Sequence, residues 1–338
     1  MMKQGLLLIN LGTPDAPNTR SVRRYLREFL ADRRVIDLPA LIRYPLLYGL
    51  ILPFRPRRSA HAYQAIWKEE GSPLLIHSRN LAAKLQSVVG NRCQVALGMR
   101  YGNPSIEEAL EQLKQCTHIT LLPLYPQYSS AATGSSIEKV LTLLAEKPVQ
   151  PSLNIIRDFY NHPRFLAAQA QRIKPYLDEH DYLLLSFHGI PERHLKASGC
   201  ETVCTDICPP LAAPNQACYR AQCFATGQLL AARLGLPAGY YQIAFQSRLG
   251  KTPWIKPYTD EVLAELASQG IKRLAVACPS FVADCLETLE EIGLRAQLQW
   301  MKLGGEKLTV IPCLNDMPQW VEGLVDICQL RQEEPLTV

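Results

Sequence analysis

The 338-residue chain lacks several features that would place it in a large protein class. No stretch reaches the ~18 uninterrupted apolar residues of a membrane span. The nearest, residues 38–54, is broken by Arg43 and by interior prolines. The start, Met1-Met2-Lys3-Gln4 and then Gly5-Leu6-Leu7-Leu8-Ile9, is too short an apolar run for a signal peptide and has no small-residue cleavage site. A cytoplasmic chain is therefore expected, with structural disulfides disfavoured. There is no Walker A sequence, no Gly-x-Gly-x-x-Gly and no Gly-x-Ser-x-Gly elbow, which argues against nucleotide binding and serine-hydrolase chemistry. Charge of one sign is also scarce. Lys and Arg number 36 against 31 Asp and Glu, interspersed, for a net charge of +5. No nucleic-acid partner is implied. The one basic knot, Arg55-Pro56-Arg57-Arg58, suits either an acidic partner or a solvated turn.

What is present is a globular composition, 47% hydrophobic and 20% charged. Short, nearly continuous apolar runs occur at 6–11, 95–99, 119–124, 152–156, 183–187, 242–246, 274–278 and 308–311. Runs of this kind suit parallel strands buried on both faces. Between them lie helix signals at 21–30, 105–113, 163–177, 223–234, 260–266 and 284–292. Ser105 and Glu108 form a capping-box pattern behind Pro104. The alternation predicts an α/β architecture of the doubly wound, parallel-sheet type.

The chain also repeats itself. Leu6-Leu7-Leu8-Ile9-Asn10-Leu11-Gly12-Thr13-Pro14 aligns with Leu183-Leu184-Leu185-Ser186-Phe187-His188-Gly189-Ile190-Pro191. The segment from Val95 to Gly102 echoes that from Ile243 to Gly250, and Leu121-Leu122-Pro123 echoes Ala277-Cys278-Pro279. Three matches in one order, each at a strand end, predict two similar halves joined near residues 160–180. Ligands of open α/β sheets sit at the carboxyl ends of the strands, so the segments after the strands are where chemistry is expected.

Three such segments carry reactive or aromatic side chains. His188 stands at the tip of a strand, before Gly189 and Pro191 turn the chain, and an imidazole there can exchange a proton near neutrality. A structural histidine would occupy the same place. Asp284, Glu287 and Glu291 are spaced three and four apart, which puts them on one face of a helix. The bland reading is a solvated acidic face; lining a cleft, the same row would supply hard oxygen ligands and proton acceptors for a divalent cation. Trp254 follows the third strand end, placed to stack on a flat ligand or to cap the core beside Pro253. In the first half, residues 122–136 form a loop rich in hydroxyls and aromatics. There Gly134-Ser135-Ser136 opens a helix whose free N–H groups suit a carboxylate.

Of eleven cysteines, five crowd into Cys200-x3-Cys204-x3-Cys208 and Cys218-x4-Cys223. Thiolates suit iron–sulfur or zinc sites, though the absence of a Cys-x2-Cys pair here weakens a zinc ribbon. Free or redox-active thiols fit as well.

Taken in order, Leu8-Ile9-Asn10-Leu11-Gly12-Thr13-Pro14, Gly98-Met99-Arg100-Tyr101, Tyr125-Pro126-Gln127-Tyr128-Ser129, Ser186-Phe187-His188-Gly189-Ile190-Pro191, Gln246-Ser247-Arg248-Leu249-Gly250 and the segment from Phe281 to Leu289 resemble the ferrochelatases, in particular those of proteobacteria. The likeness runs from about residue 5 to 325. It implies two Rossmann-like halves, each a parallel sheet flanked by helices, around a porphyrin cleft, the fold of class II chelatases. It divides the chain into 1–165, with an apolar cleft lip at about 38–56, and 166–330, with the catalytic histidine, the acidic helix and a cysteine-rich insertion at 198–223.

The implied activity is insertion of Fe2+ into protoporphyrin IX. His188 and Glu287 would be catalytic, and His188, Glu287, Asp284 and Glu291 would meet the metal. Leu11, Tyr63, Arg100, Gln127, Tyr128, Ser247 and Trp254 would line the porphyrin site. Arg295 stands where relatives carry a further acid. Chelation into another tetrapyrrole such as coproporphyrin III, and a porphyrin or heme carrier, are the alternatives. Some members hold a [2Fe–2S] cluster. The tail 331–338 has no cysteine, so an internal site is implied, with Cys200, Cys204, Cys208 and Cys218 as ligands and Cys223 in reserve. The lip, flanked by Arg55, Arg57 and Arg58, suggests transient peripheral contact with the inner-membrane surface or with the enzyme that delivers the porphyrin.

Overall fold

The computed structural model describes residues 4–330 apart from 201, 206, 207, 213, 214, 249 and 251. Leu249, part of one repeat segment and one family-like motif, and the tail 331–338 lie outside the described residues.

The first half contains β1 (Gln4–Thr13), α1 (Thr19–Ala31), α2 (Ala40–Pro45), α3 (Leu52–Ile66), α4 (Pro73–Val89), β2 (Cys93–Gly102), α5 (Ile106–Gln112), β3 (His118–Pro123), α6 (Ser135–Ala145) and β4 (Ser152–Ile155). The second contains α7 (Pro163–Ile173), β5 (Tyr182–His188), α8 (Glu192–Ala197), α9 (Tyr219–Leu234), β6 (Tyr241–Gln246), α10 (Thr259–Ser268), β7 (Arg273–Ala277), a π-helix (Glu287–Ala296), α11 (Gln297–Lys302), β8 (Lys307–Val310) and α12 (Pro318–Ile327). All eight strands fall where apolar runs predict them. They form two parallel four-stranded sheets of identical order, β2-β1-β3-β4 and β6-β5-β7-β8.

The continuous apolar character of the central strands has a direct cause. Along β1, Leu6 and Leu8 point into a large cluster that also takes Leu183, Leu185 and Phe187 of β5. Leu7 and Ile9 point the other way, into a cluster with Ile106, Ala109 and Val140 of α5 and α6. Leu184 likewise faces a third cluster with Val262, Leu266 and Trp300. Every side of these strands is apolar because both faces are covered. The first cluster belongs to both halves. The junction expected at 165/166 falls inside α7, which packs on α9 and α12, and α12 returns to the first half to pack on α4.

Residues 40–66 form one helical run interrupted by a π-turn, Leu46–Ile51. Its inner side places Leu47, Leu52 and Tyr63 against Val22, Tyr25 and Leu26 of α1. Its outer side leaves Leu41 90% and Phe54 73% exposed, with Ile42, Tyr48 and Leu50 also in the open. The capping box at Ser105 is present in full.

Candidate active site

β5 delivers His188 at its last position. The imidazole Nδ1 lies 2.6 Å from the carbonyl oxygen of Gly189. A carbonyl can only accept, so Nδ1 carries the hydrogen and Nε2 keeps its lone pair. The turn that permits this contact needs glycine, because a Cβ at 189 would stand 2.7 Å from the carbonyl oxygen of Gln246. The ring is flanked by Phe281, edge-on at 6.0 Å, and by Trp254 at 6.5 Å between centroids. Trp254 is held by a bridge to Pro191.

The acidic segment differs from the expected α-helix over 284–292. Its helix begins after Asp284 and runs as a π-helix through Ala296. Asp284 is 5% exposed, and its carboxylate accepts from Asn315 Nδ2 at 2.7 Å and from the Cys313 N–H and the Thr288 hydroxyl at 3.2 Å each. These three bonds tie Asp284 to the start of the helix and to the segment after β8. Glu291 accepts from the backbone N–H of Ser247 at 2.8 Å and from its hydroxyl at 2.6 Å. Those two bonds hold Ser247 in the left-handed region, φ 70°, where a residue with a Cβ is uncommon. Burial pushes the Glu291 carboxyl up; Ser247, His188 and Arg295 pull it back and Glu287 adds to the rise, leaving it above its ordinary value. Glu291 thus feels the charges of both His188 and Glu287. Arg295, at the outer end of the row, pairs with Glu290 at 2.9 Å and reaches Glu291 at 4.0 Å.

The first half meets the segment around Glu287. Leu11 and Tyr63 share an apolar cluster with Leu286, the neighbour of Glu287. Burial and then the Glu287 charge raise the Tyr63 hydroxyl far above its ordinary value. Tyr25, from α1, feels the same carboxylate. Arg100 is committed inward. It donates to Ser135 Oγ and Asp32 Oδ2 at 2.6 Å each, and Asp32 also accepts from Ser135 at 2.5 Å and Tyr101 at 2.8 Å. Gln127 and Tyr128 meet α9 of the other half: Gln127 Nε2 donates to Thr226 at 3.0 Å and the Tyr128 N–H to Gln222 at 2.6 Å. Gln127 Oε1 is buried without a partner among the described residues.

Contacts thus join His188 to Trp254 and Phe281, Glu291 to Ser247, and Leu11 and Tyr63 to Leu286 beside Glu287, while Arg100 is bonded to Asp32 and Ser135, and Gln127 and Tyr128 to α9. Sequence reasoning did not single out Tyr25, Ser280 or Tyr219. Ser280 accepts the His188 N–H at 2.9 Å, and the Tyr219 hydroxyl donates to the His188 carbonyl at 2.8 Å. No periodicity or spacing marks either one. Among the described residues, one open cavity of about 700 Å3 lies between α1 and the lip, lined by Arg20, Arg23, Arg24, Arg27 and Tyr48. Another, of about 610 Å3, is lined by Glu192, Arg248, Trp254 and Tyr258.

In the cysteine segment, the Cys218 thiol lies within hydrogen-bonding reach of those of Cys208 and Cys200, and Cys204 lies near Cys200. Cys218 caps α9. The Cys208 hydrogen bond draws its thiol down toward thiolate, burial opposes, and the N–H groups of the first helical turn add to the pull. Arg220 Nη1 stands 2.9 Å from Cys208 Sγ. Cys223 is fully buried within α9, beside the Tyr219 hydroxyl. Among the described residues, no three His, Cys, Asp or Glu side chains are already arranged around a common metal position.

A family model described as Ferrochelatase matches residues 3–332. The chain is 60% identical over 326 residues to the ferrochelatase of Legionella pneumophila strain Lens, covering 96% of this chain and 98% of that protein. It is 50% identical over 334 residues to the ferrochelatase of Coxiella burnetii strain CbuK_Q154, covering 97% and 93%. Among solved structures, SirB from Bacillus subtilis with Fe3+ superposes with a TM-score of 0.54 at 13% identity, over 97% of this chain and 95% of that one, a likeness of fold.

Proposed function

The chain belongs to the ferrochelatase family, enzymes that insert Fe2+ into protoporphyrin to make heme, and from that premise we propose that His188 is the base and Glu287 its partner. One observation carries the assignment: His188 Nδ1 lies 2.6 Å from the Gly189 carbonyl oxygen, which can only accept, so the neutral ring keeps its lone pair on Nε2. A free-base porphyrin holds two pyrrole N–H protons, and both leave as Fe2+ enters. Nε2 accepts a proton from a pyrrole nitrogen. The neighbouring carboxylates Glu287 and Glu291 stabilise the imidazolium and carry the proton outward. Glu291, already raised by burial, is suited to hold a proton in transit. Leu11, Tyr63 and Trp254 form the apolar walls against the macrocycle. Gln127, Tyr128, Arg100 and Ser247 supply the polar edge, and the buried orphan Gln127 Oε1 supports a ligand contact there. Fe2+ is a substrate that Glu287 and His188 meet in passing. The test is anaerobic incubation with Fe2+ and protoporphyrin IX, followed in the Soret region, beside His188→Ala. Heme from the wild type and none from the variant is expected; equal rates would remove His188 from the role of base.

We further propose that Cys200, Cys204, Cys208 and Cys218 hold a [2Fe–2S] cluster, supported by four soft donors in one segment and by the thiolate character of Cys218. Cys223, buried in α9, is left out. When bound, such a group supplies a one-electron redox centre. Visible charge-transfer bands in anaerobically reconstituted protein are expected, and a colourless protein would refute it.

The lip and the outer face of α1 together suit an anionic bilayer. Arg20, Arg23, Arg24 and Arg27 lie on the exposed face of α1 beside exposed Leu41 and Phe54, and residues 38–58 contain no acid. We place the enzyme at the cytoplasmic side of the inner membrane, in transient contact with lipid or with the enzyme that supplies its porphyrin.

A further inference from the structure

The residue that follows Cys218 reaches the centre of the site. Tyr219 is the first residue of α9, and its side chain is buried. It donates its hydroxyl to the His188 carbonyl at 2.8 Å, while Ser280 Oγ accepts the His188 N–H at 2.9 Å. In a strand, the N–H and C=O of one residue point to the same side, and for His188 that is the side of β7. But β7 pairs with β5 only as far as Leu185, opposite Ala277. Beyond that point the two strands have parted, and the backbone of His188 would be left without partners. Tyr219 and Ser280 replace the missing strand. On the other side, the Gly189 N–H donates to Gln246 at 2.8 Å. The peptide between His188 and Gly189 is thus held at both ends, its oxygen by Tyr219 and its nitrogen by β6.

This matters for the imidazole because its Nδ1 is bonded to the very next residue's carbonyl. The ring is referenced to its own backbone, so whatever fixes the backbone fixes where Nε2 points. Tyr219 is also tied to the cysteines. It follows the helix-capping Cys218, whose thiol contacts Cys200 and Cys208, and its hydroxyl neighbours Cys223 one turn on.

We propose that Tyr219 is a positioning residue for metal insertion: it holds the strand end that aims His188 Nε2 into the cleft, and through the first turn of α9 it makes that aim depend on the cysteine segment. The proposal rests on His188 being the base. It does not require that the cysteines bind a cluster.

Tyr219→Phe keeps the buried ring and removes the bond. A misaimed base slows the chemical step without weakening porphyrin binding, so kcat should fall on the order of tenfold. KM and the porphyrin Kd from fluorescence quenching should stay within about twofold, with little change in Tm. Ser280→Ala, which releases the other bond to His188, should show the same split. Should Tyr219→Phe not fold, Ser280→Ala carries the test alone. An unchanged kcat in a folded variant, or kcat and porphyrin affinity falling together, would overturn the positioning role. The link to the cysteines is read by Cys218→Ser, made in the wild type and in the Tyr219→Phe background. It should lower kcat in the first and do little more in the second. Independent, multiplicative losses would overturn the link. Full activity of His188→Ala would instead fail the base assignment, a separate outcome.

Discussion

At the scale of single residues, the site separates carboxylates that look alike in sequence. Glu287→Gln should lower kcat by roughly two orders of magnitude or more, with Tm unchanged, as the proposed partner of the base. Asp284→Ala should act mainly on stability. It strands the Asn315 Nδ2 group and the Cys313 N–H, at a cost of about 2–3 kcal/mol measurable by denaturant titration. Asp32 offers a pH test. Burial works to raise its carboxyl, but hydrogen bonds from Ser135, the Arg34 N–H and Tyr101, with the charge of Arg100, hold it below the usual range. Its stabilising contribution is therefore complete above the unfolded value of about 3.9 and is lost as pH falls through the folded one. Asp32→Asn should flatten the acid limb of the stability curve and leave Arg100 without its charge partner. His188 and Glu287 were legible as candidates because strand-tip and helix-spacing patterns are local. Asp284's commitment was not, since Cys313 and Asn315 lie about thirty residues downstream and only the folded chain brings them in.

At the scale of elements, the strands were legible in full and the helices less so. A central strand covered on both faces is written as a short, nearly unbroken apolar run, which the helical lip at 44–54 imitates at greater length. The π-helix Glu287–Ala296 and the π-turn Leu46–Ile51 have no such signature, because the i→i+5 ladder uses the same residues as an α-helix and is set by what packs around it. The capping box was readable, since it is made of two side chains three apart; Ser105→Ala should cost about 1 kcal/mol in a thermal melt. The lip read from sequence as an anomalous apolar stretch, and its helix now explains why: one side packs on α1 while the other is bare. Leu41→Ser with Phe54→Ser should abolish flotation with anionic vesicles. Flotation that survives both changes would refute membrane contact through the lip.

At the scale of the whole molecule, the two sheets share a core, and a shared core does not unfold in halves. Trp320, fully buried against Phe159 and Phe165, joins α12 to α7 at that seam. Trp320→Ala should cost about 3–5 kcal/mol and shift one cooperative transition to lower denaturant, not split it into two. The internal repeat was legible because strand ends are short and similar, and identical sheet orders bear it out. That same repeat sets Leu11 in the first half at the place His188 holds in the second. An equal doubling would place the same kind of side chain at the tip of both central strands. Here the strand order is kept in both halves and the strand tips differ, leucine on β1 and histidine on β5. One architecture is thus written twice, and only one copy ends in a group that can take up a proton.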